Sequence, residues 1–205
     1  MSAHRTDANT MEFSITSLPC WLALWFAGLT LVAGCQPYSE SVTDASAGLN
    51  GGFEIDRNGL PVNWLMYTPR TVEDAEFSIR LDREIVKEGQ QSLRFDVARC
   101  SAAGGRYSPG FTNEFVQLGK YPGPAKYTLS FWIRNDGAEY VVMAGGVSAM
   151  RGNMRVLVRD DAQAAEWQRL SYTIDVADDQ WLRMELNILS PGTFWIDDVE
   201  IERLD

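Results

Sequence analysis

Gly192-Thr-Phe-Trp-Ile-Asp-Asp-Val-Glu-Ile201 is a strand signal with an anomaly inside it. With the strand period of two, Trp195, Asp197, Val199 and Ile201 share one face, so a carboxylate stands in a row that otherwise looks buried. An unpaired buried carboxylate is too costly to keep, which leaves an arginine, a set of backbone donors or a bound cation to compensate it. The same alternation recurs upstream. Leu93, Phe95 and Val97 oppose Arg94 and Asp96; Tyr127, Leu129, Phe131 and Ile133 line one side of 126–134; Leu182, Met184, Leu186 and Ile188 line one side of 181–188. These read as half-buried antiparallel strands. Weaker signals at 53–56, 64–67, 76–81, 112–118, 139–144, 153–158 and 168–175 bring the total to roughly eleven, separated by turn residues such as Tyr121-Pro-Gly-Pro124. Only 160–167 could hold a helical turn, and no internal repeat is visible. Residues 51–205 are therefore expected to form an all-β, antiparallel jelly-roll β-sandwich.

Ahead of that domain, Trp21 to Gly34 is an apolar run ending in small residues, shorter than the about 20 residues a membrane span needs. Val32-Ala33-Gly34-Cys35 resembles a bacterial lipobox, which implies a signal peptide over 1–34 and a lipid on Cys35 as the mature N-terminus. The start is only weakly basic, with Arg5 offset by Asp7 and Glu12, and Met11 is a second candidate initiator. Residues 35–50 are small and polar without hydrophobic period and read as a flexible tether. Gln36, not aspartate, follows the lipidated position, which by the enterobacterial sorting rule directs the protein to the outer membrane of the cell envelope.

The formal charge is −10 over the chain and −9 beyond residue 34, where Arg5, Asp7 and Glu12 no longer count. That balance argues against nucleic acid as a partner and suits a cation. Of three cysteines, Cys20 leaves with the leader and Cys35 takes the lipid, so Cys100 stands alone as a small half-buried hydrophobe, without an intramolecular disulfide. The one histidine, His4, also lies in the leader. A domain without histidine builds neither Ser-His-Asp nor Cys-His catalysis, nor a His-ligated zinc site. No spacing among the carboxylates singles out a glycosidase pair, so no enzyme activity is expected.

Four separated segments resemble a known family. Asn50-Gly-Gly-Phe-Glu54 with Gly59-Leu-Pro-Val-Asn-Trp64, then Glu88-Gly-Gln-Gln-Ser-Leu93, Tyr127-Thr-Leu-Ser-Phe-Trp-Ile-Arg134 and Trp195-Ile-Asp-Asp-Val199, look in order and spacing like CenC-type carbohydrate-binding modules of the galactose-binding-like superfamily. The resemblance implies that the first, second and last segments meet at one edge around a structural Ca2+ ion. Glu54 and Asp197 would give carboxylate oxygens, and Gly52 and Gln90 backbone carbonyls, with Asp198 as the alternative carboxylate.

It further implies a glycan or polysaccharide ligand, read by aromatic rings beside amides and carboxylates. Trp181, Arg183, Glu185 and Asn187, opposite the core row of their strand, have that chemistry, and Trp132 and Arg134 stand on the corresponding face of theirs. Tyr107, in the long loop 99–113, is a candidate lip. The plainer readings are a solvated strand face, and core filling for the methionines Met143, Met150 and Met154. A structural or protein-docking envelope lipoprotein, using the same fold on a protein partner, is the alternative function.

Overall fold

The computed structural model describes residues 39–113, 120–148 and 152–204. The expected signal peptide, Cys35 and the first residues of the expected tether lie outside them. The strands are β1 (Asp56–Arg57), β2 (Leu60–Pro61), β3 (Leu65–Tyr67), β4 (Glu76–Asp82), β5 (Ser92–Arg99), β6 (Gly110–Thr112), β7 (Ala125–Asp136), β8 (Tyr140–Val147), β9 (Gly152–Asp160), β10 (Ala164–Val176), β11 (Trp181–Ile188) and β12 (Gly192–Arg203). Apart from the small β1-β2 hairpin they form two five-stranded antiparallel sheets, β10-β7-β12-β5-β4 and β3-β6-β11-β8-β9. This is the jelly-roll sandwich expected from the alternation.

The sheets pack face to face over one apolar core. Phe95 of β5 stacks on Phe111 of β6 at 6.3 Å, and Phe194 of β12 meets Tyr140 of β8 at 4.7 Å. Trp64 and Phe53 close the core beside Phe111, with Trp64 and Phe111 edge to face at 4.9 Å, and all three are fully buried. Such aromatic contacts add to the area buried. Leu93, Phe95, Leu129, Phe131 and Ile133 from one sheet oppose Met184, Leu186 and Ile188 from the other, the rows the period of two assigned inward, with Val142 of β8 beside them.

Three readings are corrected. First, β12 does not keep one register. Asp197 pairs with Trp132, but the next paired residue, Glu200, faces Ser130, so an extra residue bulges at Asp198, whose φ is +48°. The bulge reverses the facing of the strand. Phe194, Ile196, Val199 and Ile201 point into the core, whereas Trp195 and Asp197 lie on the outer face, buried there by other means. Second, 160–167 is not helical; a short connection leads into β10 at Ala164. Asn135 donates to the Ala162 carbonyl across that connection.

Third, residues 39–50 are not a free tether. Glu40 exchanges both backbone hydrogen bonds with Met66, at 2.8 and 2.7 Å, and so covers the open edge of β3. Its carboxylate also takes the Thr68 hydroxyl at 2.6 Å. Asn63 then binds Asp44 through its side-chain oxygen and the Asp44 and Gly48 carbonyls through its amide. A lone strand residue and an asparagine clamp carry no hydrophobic period, so composition alone reads as linker.

Candidate functional site

On β11, Trp181, Arg183, Glu185 and Asn187 share the outer face, as the alternation requires. Glu185 is only 4% exposed, and its charge is met there. Arg183 donates from Nη2 to Glu185 Oε2 at 2.7 Å and from Nε to Thr112 Oγ1 at 3.2 Å, while the Tyr67 hydroxyl lies 3.4 Å from Glu185 Oε1. Charge-assisted bonds of this kind fix both side chains on the sheet. Tyr67 of β3 and Thr112 of β6 were not singled out by sequence, because a three-residue strand shows no period.

Asn187 has another task. Fully buried, it accepts the Gly105 N–H at 2.8 Å and donates to the Gly105 carbonyl at 3.0 Å, as one peptide would pair with another. Gly104 and Gly105 both have positive φ, +73° and +56°, which suits glycine at this turn. Asn187 therefore docks the loop between β5 and β6 onto the face and is used up in doing so. The same loop carries Tyr107, 56% exposed, with Arg106 over its ring at 4.9 Å and bonded to its hydroxyl at 2.8 Å. Tyr107 is thus a stiffened aromatic edge on a loop anchored to this face.

Trp132 and Arg134 do not join this group. They lie on β7, in the other sheet, and face outward, so the whole core separates them from Trp181. Lys87 Nζ stands 4.2 Å over the Trp132 ring, and Arg134 lies 5.7 Å over Trp195. Trp195, 5% exposed, is covered on this outer face by Arg94 at 4.8 Å and gives its indole N–H to Asp82 at 2.9 Å.

The junction implied for calcium does bring the three chain segments together. Val199 N donates to Gly51 O at 3.0 Å, and a Cβ on Gly51 would fall 1.8 Å from the Val199 carbonyl, so glycine is required there. Glu54 Oε1 accepts the N–H groups of Gln90 and Gln91, at 2.9 and 3.3 Å. Asp197 Oδ2 accepts those of Lys87 and Glu88, at 2.9 and 3.0 Å, and Oδ1 that of Asp198 at 2.7 Å. Of the three compensations open for Asp197, backbone donors are the ones in place. Burial nevertheless pushes its carboxyl up to about 6, against those donors, which lower it.

As a ligand set these residues fit a cation only in part. Both Asp197 oxygens face N–H hydrogens, whereas Glu54 Oε2 and the Gly52 and Gln90 carbonyls suit the oxygen chemistry of Ca2+. Among the described residues no three acidic, His or Cys side chains cluster around a point. Calcium is a separate proposal with its own measurement. Because five N–H donors already close the junction, one cooperative thermal transition is expected in chelator. A calcium-dependent rise in Tm would add an ion on the open side of Glu54.

No family model and no curated protein matches the chain. Solved structures of the same fold do. A module pair from a Clostridium thermocellum endo-1,4-β-D-xylanase, a family 22 carbohydrate-binding module joined to its glycoside hydrolase module and complexed with xylohexaose, is 18% identical with a TM-score of 0.52, covering 69% of this chain and 26% of that one. A family 22 xylan-binding domain from Paenibacillus barcinonensis is 13% identical with a TM-score of 0.52, covering 76% of this chain and 92% of the domain. The active domain of a bacteriophage CBA120 tailspike is 12% identical with a TM-score of 0.55, covering 76% and 21%. The chain shares the two-sheet antiparallel β-sandwich fold of these modules.

Proposed function

We propose that the chain is a noncatalytic glycan-binding module, tethered at the bacterial cell envelope by a lipid on Cys35, that holds a polysaccharide on the outer face of the β11 sheet. The observation that carries this reading is the built polar group on that face. The Arg183–Glu185 pair is fixed by Thr112 and Tyr67, and Trp181 stands on the same strand face. A guanidinium, a carboxylate and hydroxyls read sugar hydroxyls, and an indole suits the flat C–H side of a pyranose. Family 22 modules, one of them described as complexed with xylohexaose, support β-1,4-linked polymers as the first ligands to try.

Affinity electrophoresis in gels containing xylan and other soluble polysaccharides tests it. Retention is expected for the native protein. Trp181→Ala and Arg183→Ala are each expected to weaken it at least tenfold, with Trp132→Ala unchanged because that ring lies across the core. If no polysaccharide in a broad panel retains the protein more than a control, the protein-docking reading takes its place.

A further inference from the structure

The start of β7, the end of β10 and the start of β9 border a cleft of about 520 Å3, lined by Pro124, Lys126, Asn153, Asp175 and Gln180, with Ala125 and Val176 as apolar wall. Its size lies within the usual range for small-ligand sites, roughly 300–1,000 Å3. None of the β11 face residues named above borders it.

Gln180 is the informative group. It is 7% exposed, yet among the described residues nothing hydrogen-bonds its side-chain amide. Its backbone is fully engaged, with N–H to the Ala177 carbonyl at 3.3 Å and carbonyl to Gly123 N at 2.8 Å, which pins the residue at the cleft. Its Oε1 sits 2.2 Å from the point a Cβ on Gly146 would occupy, so Gly146 provides the seat. Unlike Asn113 Nδ2, the Gln180 amide is not sealed from solvent, so it opens on the cleft, where water or a ligand can take it.

The other groups match it. Asn153 is exposed, and its side chain likewise has no partner among the described residues. A Cβ on Gly145 would fall 1.9 Å from the Asn153 carbonyl, so the close approach of β8 and β9 fixes where Asn153 stands. Lys126 and Asp175 are 3.9 Å apart and mostly exposed, a loose pair that leaves donors and acceptors available. Each primary amide offers two N–H donors and a carbonyl acceptor, the complement of neighbouring hydroxyls. The opposite charges of Lys126 and Asp175 cancel, which disfavours an anion or a cation and suits a neutral polyhydroxylated ligand.

We infer that this cleft is a second saccharide subsite, taking one or two rings of a neutral glycan independently of the β11 face. The inference rests on the ligand class proposed above and not on its residues. With both sites filled by one chain or by neighbouring chains, the second contact would act at high effective concentration and strengthen retention without new affinity at either site.

Titrating 15N-labelled protein with xylohexaose, cellohexaose and mannohexaose separates the two sites, because the Trp181 indole N–H reports one and the Gln180 and Asn153 side-chain amides the other. Saturable shifts of both amides are expected with at least one sugar. Asn153→Ala, at an exposed position, should weaken that isotherm at least fivefold and leave the Trp181 response unchanged, and Gln180→Ala should do the same. Movement of Trp181 with still amides overturns the cleft and keeps the face; movement of the amides alone keeps the cleft and removes the face. Silence at both with all three sugars overturns both, and an unchanged amide isotherm in Asn153→Ala overturns the cleft.

Discussion

Asp197→Ala is expected to lower the stability of the domain by about 3 kcal/mol, the net of several orphaned backbone donors against one relieved buried charge. The Asp197 carboxylate receives the N–H groups of Lys87, Glu88 and Asp198. Alanine leaves those donors without their acceptor and removes the link between residues 87–88 and the β12 bulge. Because burial already pushes this carboxyl up to about 6, part of the loss is offset by no longer holding a charge there. At about 2–4 °C per kcal/mol for a domain of this size, Tm should fall by about 6–12 °C. Asp197→Asn keeps one acceptor but turns an NH2 toward the remaining N–H groups, so an intermediate loss is expected. An alanine variant that melts within about 2 °C of the native protein would show that the clamp is not what joins these segments.

The period of two made the sandwich readable, since β5, β7 and β11 are long enough to display it, and each placed its predicted row in the core. Where the chain breaks that period, the reading failed for a local reason. The bulge at Asp198 depends on a positive φ that nothing in Trp-Ile-Asp-Asp-Val announces, and it moves Trp195 and Asp197 to the other face. Strand order is a second kind of information that alternation does not hold. Trp132 and Trp181 are both outward-facing on their strands, yet the crossover of β7 and β11 into different sheets puts the core between them. Tyr67, Thr112 and Glu40 escaped notice because they sit on three-residue strands or an isolated bridge, where there is no pattern to count. The meeting of the segments that hold Gly52 and Glu54, Gln90, and Asp197 was legible only through the resemblance. Their contacts pair 51 with 199, 54 with 90 and 91, and 87 and 88 with 197, and those separations carry no signal of their own. Gln180 was missed altogether, because what marks it is its place at the cleft, set by long-range contacts with Gly123 and Gly146.

Acid should weaken the native protein by way of Asp82, and the expected loss is about 2 kcal/mol between roughly pH 4 and pH 2. Asp82 is 2% exposed on the outer face of the β4-β5-β12 sheet. Burial on its own would raise its pKa. The Trp195 indole at 2.9 Å, the Glu84 and Ile85 backbone N–H groups and Arg94 at 3.2 Å outweigh that, and hold the carboxyl at about 2 against an ordinary 3.8. A depressed folded-state pKa means that the unfolded chain takes up the proton first. The stabilisation is therefore complete above the unfolded value and is lost as pH falls through the folded one. Asp96 is another carboxylate held, against its burial, below its ordinary value by Arg94 and Arg80, so the measurement is the difference between native protein and Asp82→Asn in chemical denaturation from pH 7 to pH 2. That gap should stay constant down to about pH 4 and shrink by about 2 kcal/mol by pH 2, as the native side chain becomes neutral like its amide replacement. A gap that persists unchanged at pH 2 would mean that the shape of the Asp82 side chain, not its charge, secures Trp195 and Arg94. In that case the outer-face cations would owe their placement to packing on the indole alone.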